Sequence, residues 1–427
     1  MLAWLLSIPL LWRCLAIFAG GVALGALLNW GIYALAWHSR PISPWSRRPQ
    51  HGPPRSWFDR LPVLGWWGLR RETSLWGRGF WVRPILIELA TGLGLATLYY
   101  WEVTGELIPQ PLAVLLHVPV TQAMLHQRFL SHGLLILLMI VATFIDFDEK
   151  TIPDWITVPG TLAGLLLAAI WPSSLLTNLE TVPVLWTVKL EPLWLTSPLL
   201  WSPRLNSEQG LAFGLFCFWG WCFGILEKRW TLRRGWVKAV RFFFASIFRY
   251  QNWPLVLAIT LVGTPLIIWC WSEQGRAWQA LLTALAGVAF GGGLVWAIRI
   301  IGSHSLGREA MGFGDVTLMA MIGAFVGWQG ALIGFFMAPF AALFIALAQW
   351  LFTGRGALAF GPYLCAGALF VILRWPEIWE GPLGVRGHFM LGWFIPAIVV
   401  ICLGLMWLML LGLRFFRERF GHEDQPT

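Results

Sequence analysis

Long apolar runs almost free of charge limit this chain more than any other feature. From Met1 to Trp37 a single charged residue, Arg13, interrupts a hydrophobic stretch, and runs of the same character recur as far as Arg414. A helix needs about 20 apolar residues to cross the hydrocarbon core of a bilayer. That rule predicts spans near residues 14–37, 84–102, 131–147, 155–171, 209–226, 253–272, 279–302, 315–329, 331–352, 358–374 and 390–413. Pro159 and Pro339 fall inside such runs and are expected to bend their helices. Of the 427 residues 58% are hydrophobic and only 12% charged, where a water-soluble domain carries about 25% charged residues. A soluble enzyme, a disordered chain and a disulfide-stapled secreted scaffold are thereby excluded. The first run is also longer than the apolar core of a signal peptide, so it reads as the first membrane helix. The expected fold is an all-α polytopic membrane protein with about eleven transmembrane helices.

Lysine and arginine collect in alternate loops. Residues 38–83 hold nine arginines and residues 227–249 hold seven basic residues. With the tail Arg414, Arg417 and Arg419 they fall on one side of the expected topology. An excess of positive charge marks the cytoplasmic side, which puts the N-terminus outside and the C-terminus in the cytoplasm. The net charge of +9 therefore reads as topology, not as a nucleic-acid surface, since no basic face is interleaved with aromatic residues. Cys14, Cys217, Cys222, Cys270, Cys365 and Cys402 all lie within apolar segments and form no C-x-x-C pair, so neither a disulfide framework nor a metal knuckle is indicated. No internal repeat is found. The segment 172–208, rich in Leu, Pro and Trp, takes no assignable structure.

Carboxylates at the edge of hydrocarbon are expensive and mark candidate functional sites. One group is Asp146, Asp148, Glu149 and Asp154, at the inner end of the third span. The other is Asp315, in Gly312-Phe313-Gly314-Asp315, at the inner start of the eighth. The topology puts both at one membrane face. Two close carboxylates cannot both ionise cheaply and share a proton. The ionised one can take a proton from water while the protonated one polarises a scissile carbonyl. Asp146 and Asp315 are thus the candidate catalytic pair, a dyad that needs no metal. Gly312 and Gly314 are candidate substrate-binding positions, where a bare backbone lets a substrate strand approach. Asp148, Glu149 and Asp154 read most simply as solvated interface residues, Asp154 as an N-cap of the next helix.

These residues resemble the type IV prepilin peptidases, aspartic peptidases of the bacterial inner membrane. The resemblance rests on six blocks in family order. Gly25–Tyr33 is similar to the G-S-F-L-N-x-x-I-x-R helix, Asp59–Trp66 to the N-I-P-x-x-S-x-L stretch, and Arg83–Glu88 to R-Y-P-x-x-E. Asp146 through Pro153-Asp154 is similar to D-x-x-x-x-x-I/L-P-D. Met311–Asp315 with Gly323–Trp328 is similar to the second catalytic block, and Phe360–Leu364 matches F-G-P-Y-L. The resemblance implies a multi-pass inner-membrane endopeptidase that removes the leader of prepilins or pseudopilins at the cytoplasmic face, with Asp146 and Asp315 as its dyad. Prepilins and membrane lipids are the implied partners; nucleic acid is not. It also implies an organisation: residues 1–130 with the basic loop 38–83, a peptidase core of 131–171 and 277–375, an insertion 172–276, and an added C-terminal helix and tail in 376–427.

Many members carry two C-x-x-C pairs in the loop that resemble a zinc site, and many N-methylate the new terminus with S-adenosylmethionine. The loop 38–83 has no cysteine, so no zinc is expected, and methylation is left open. Proteolysis itself implies no cofactor. Two rival readings remain. A presenilin-like protease would carry Tyr-Asp and Pro-Ala-Leu, where this chain has Ile145-Asp146 and Phe360-Gly361-Pro362-Tyr363-Leu364. A transporter would show inverted repeats and midplane carboxylates.

Overall fold

The computed structural model describes residues 2–40, 42–46, 52–109, 120–182, 187–226, 252–307, 309, 311–353, 359–381 and 384–420. The apolar runs form helices, because a backbone removed from water must satisfy its own hydrogen bonds. In chain order the principal ones are α1 (Leu10–Ala34), α2 (Val82–Thr104), α3 (Gln122–Glu149) and α4 (Asp154–Ile170). They continue as α5 (Glu208–Ile225), α6 (Trp253–Glu273), α7 (Gly275–Leu306), α8 (Phe313–Thr353), α9 (Gly361–Leu373) and α10 (Phe394–Phe420). Among the described residues seven helices are long and apolar enough to cross a membrane: α1–α3, α6–α8 and α10. Asp154–Ile170 and Gly361–Leu373 are apolar but shorter. The chain is thus a largely helical, multi-spanning membrane protein.

The spans expected at 315–329 and 331–352 correspond to two helical segments of α8 that meet at a break at Gly327, whose φ of 70° and ψ of 177° are not helical. Forty-one residues of unbroken helix would run about 60 Å, twice the hydrocarbon thickness. The positive φ suits glycine, which has no Cβ to clash. The break is fixed from outside: the Trp328 indole N–H donates to Leu195 O (2.8 Å), and the Gln329 amide donates to Trp194 O (2.8 Å) and Ser197 O (3.2 Å). Pro159 and Pro339 both lie inside helices.

Helix α8 is the centre of the bundle, with 94% of its most apolar window buried, against 0% for α10. It packs on α7, α9 and α4. Close approach to α7 depends on paired glycines: a Cβ on Gly287 would fall 2.1 Å from Gly323 O, and one on Gly323 would fall 2.1 Å from Gly287 O. Lipid tails are as apolar as leucine, so such backbone-to-backbone packing holds membrane helices together where hydrophobic burial cannot. One face of α10, including Leu405, Leu408 and Met409, is exposed, as suits a helix facing hydrocarbon, while Ile395, Val399 and Leu403 pack against the core.

The segment 172–208, unassigned from sequence, contains a two-stranded antiparallel hairpin: β1 (Thr177–Val182) and β2 (Thr187–Pro192), with Thr177 opposite Pro192 and Val182 opposite Thr187. An isolated hairpin is marginal, and here the helices hold it. Arg128 of α3 donates to Thr177 Oγ1 (3.0 Å), Trp375 to Thr177 O (2.6 Å), Trp379 to Asn178 Oδ1 (2.9 Å) and Arg386 to Leu179 O (2.8 Å). The basic loop expected at 227–249 lies outside the described residues.

Candidate active site

Asp146 occupies the last turn of α3 and is 4% exposed. Its Oδ2 accepts a hydrogen bond from the Gly361 backbone N–H at 3.0 Å, the first residue of α9. Lys150 ends α3 in the left-handed region (φ 55°), and its N–H donates to Asp146 O at 2.9 Å. That reversal returns Ile152 to the site, where it meets the starts of both α8 and α9. A Cβ on Gly314 would stand 2.8 Å from Ile152 Cβ, and one on Gly361 would stand 2.8 Å from Ile152 Cδ1 and 2.6 Å from Asp146 Oδ2. Asp315, in the first turn of α8, is 8% exposed and lies within electrostatic reach of Asp146. Its position also lets the positive end of α8 stabilise a negative charge.

The structure therefore gathers Asp146, Asp315, Gly312 and Gly314 at one place. The two glycines differ in what surrounds them. Gly314 lacks a side chain because the chain's own Ile152 fills that space. Gly312 keeps an open side: its nearest neighbours would be Asp315 Oδ2 at 3.7 Å and Gly314 N at 3.9 Å.

Asp148 is exposed, as expected, and Glu149 half-buried, and both have partners. Arg83 donates two hydrogen bonds to Asp148 (2.8 and 3.0 Å) and stacks over the Phe144 ring at 4.8 Å. Glu149 accepts from the backbone N–H groups of Trp37 (2.7 Å) and His38 (3.0 Å). Both ends of the loop 38–83 are thus tied to the end of α3 that carries Asp146. Asp154 is the first helical residue of α4, while Pro153 takes the N-cap position.

Sequence reading did not single out Glu88 as a hub. It is fully buried and accepts hydrogen bonds from Asn29 (3.1 Å), the Trp66 indole (2.7 Å) and the Val63 backbone. Those donors come from two of the motif blocks and Glu88 from a third, so the signal was present as spacing without a stated meeting point. The loop beyond is held by charge. Arg55 forks the buried Glu72 with two hydrogen bonds of 2.7 Å, Asp59 pairs with Arg71, and the Ser56 backbone N–H donates to Asp59 at 2.6 Å. Burial pushes the Glu72 carboxyl up, but hydrogen bonds from Arg55 and Trp76 and the charges of Arg55 and Arg71 outweigh it, holding its pKa below the usual range. No cysteine lies in the loop, and among the described residues no three His, Cys, Asp or Glu side chains gather to hold a metal.

Residues 248–347 match the type IV leader peptidase family. The match includes α6, α7, Asp315 and the Gly327 break; Asp146 lies outside it. The chain is 33% identical to a prepilin leader peptidase/N-methyltransferase of Myxococcus xanthus (strain DK1622), over 36% of this chain and 39% of that protein. Proteins of the same name from Aeromonas hydrophila and Burkholderia pseudomallei (strain 1026b) are 32% and 30% identical. Those two alignments cover 23% and 27% of this chain, and 33% and 37% of the relatives. The chain thus spans well under half the length of these curated relatives. No solved structure matches it.

Proposed function

We propose that this chain, which matches the type IV leader peptidase family over residues 248–347, is a membrane-embedded aspartic endopeptidase of that family. Its substrates are type IV prepilins or pseudopilins, cut at the leader on the cytoplasmic face of a bacterial inner membrane. Asp146 and Asp315 are the catalytic pair. The ionised carboxylate takes a proton from water, whose oxygen attacks the scissile carbonyl carbon while the protonated carboxyl donates to the carbonyl oxygen. Collapse of the tetrahedral intermediate returns a proton to the departing amine. Gly312, with its open side, lies where a substrate backbone can approach.

The observation that supports this reading is that two buried carboxylates, at the end of α3 and the start of α8, lie within electrostatic reach of each other, with Ile152 packed against the starts of both α8 and α9. The fuller topology belongs to the same proposal. The chain crosses eleven times, with α8 folding back at Gly327, and has its N-terminus outside and C-terminus inside. Residues 131–171 and 277–375 form the peptidase core, and 172–276 and 376–427 are additions to it.

The test is co-expression of the full chain with a prepilin that has a basic leader, a glycine at the junction and an apolar stem, with the product's mass measured. Asp146→Asn and Asp315→Asn should each abolish leader loss while the protein stays in the membrane. Cleavage by either variant near the wild-type rate removes that residue from the reaction. The second activity in the relatives' name, with S-adenosylmethionine as donor, is read from the same spectrum: it adds one methyl group to the cleaved product.

A further inference from the structure

The segment that delivers Asp315 is held by one side chain that the sequence reading passed over. Helix α7 ends at Leu306, capped by Gly307 in the left-handed region (φ 68°), and α8 begins at Phe313. Arg299, two turns before the end of α7, reaches across this connection. Its Nε donates to Met311 O at 2.9 Å, its guanidinium pairs with the Glu309 carboxylate, and its Cζ lies 5.7 Å from the centre of the Phe313 ring. Three residues on both sides of Gly312 are therefore fixed by a single planar cation. Arginine suits this because its fork is rigid, always charged and able to face an aromatic ring while donating in its plane. Lysine, a point charge on a flexible stem, cannot make all three contacts.

We propose that Arg299 is a positioning residue that sets where Asp315 stands relative to Asp146. Asp315 is only three residues beyond Gly312 and its Oδ2 lies close to that backbone, so a displacement of the 309–313 segment carries the carboxylate with it. Misplacing a reacting group by about 1 Å can lower a rate about 100-fold. The kinetic part of this inference rests on the peptidase reading; the clasp itself does not.

The experiment uses the purified full chain in detergent and a synthetic peptide with a basic leader, a glycine junction and an apolar stem. Arg299→Lys should keep KM within about twofold and lower kcat by about 10- to 100-fold. It should also narrow the bell-shaped pH profile, because carboxylates held further apart repel each other less. Arg299→Ala should lose at least as much. A variant that loses activity only in amplitude, with KM and profile shape unchanged, has fewer folded molecules and overturns the positioning role. Arg299→Lys with wild-type kcat overturns it as well. A wild-type chain that leaves the peptide uncut overturns the peptidase reading first, and this proposal with it, whereas a wild type that cuts beside an equally active Arg299→Lys overturns this proposal alone.

Discussion

At position 361 a methyl group would stand 2.6 Å from Asp146 Oδ2 and 2.8 Å from Ile152 Cδ1, so this glycine is set by the carboxylate beside it. Its N–H is the hydrogen bond that orients Asp146, and no side chain fits without moving one or the other. Gly361→Ala is therefore expected to lower leader cleavage by about 10-fold or more. Gly293→Ala, where a methyl would meet nothing within 4 Å, should cleave at the wild-type rate. Equal rates for the two variants in the co-expression assay would show that Asp146 tolerates displacement. Asp146 and Asp315 were legible as candidates, because charge in an apolar context stands out in a sequence. The same reasoning did not reach the partners of Asp148 and Glu149. Solvent and an arginine partner look alike until Arg83, Trp37 and His38 are brought alongside.

Among the elements, the loop 52–76 shows how a segment with only a small core, Trp66 and Leu69 against Tyr33, is kept folded. Its buried Glu72 meets Arg55 in a fork, and its Asp59 caps a short helical turn through Ser56. Removing one partner of such a pair leaves the other buried and unpaired. Glu72→Gln should lower the local opening free energy of this loop by about 2–3 kcal/mol, read by amide hydrogen exchange, with little change at α8. The pH dependence follows in sign. A carboxyl held below its ordinary pKa stabilises while the pH is above its unfolded value, and that contribution is lost as pH falls through the folded value. Exchange in residues 52–76 should accelerate on acidification through and below the carboxylate range, and Glu72→Gln should flatten that response. A loop whose exchange ignores both would owe its order to something other than the ion pair.

Across the whole molecule, ion pairs hold the loop beside a helical bundle whose core closes around α8. Chelator should therefore change neither the exchange pattern of the loop nor cleavage of the synthetic peptide; a loss of either that zinc restores would place a metal in this chain. The hairpin is tied to the bundle by Arg128, Trp375, Trp379 and Arg386, and Arg128 also joins Glu102 and His132 in a fully buried polar cluster. Membership of the membrane, helical class and the two carboxylate-bearing segments were determined by sequence alone. Long uncharged runs admit only one low-energy state in hydrocarbon, and an acid at their ends is conspicuous. What only the tertiary structure decided is which distant residues meet: Gly361 on Asp146, Ile152 between two helix starts, two motif blocks on Glu88, and the backbone break at Gly327 held by Trp194, Leu195 and Ser197. Periodicity and composition describe each segment against its solvent. Contacts between segments depend on where backbones can approach within a few ångströms, and that is fixed only when all of them pack together.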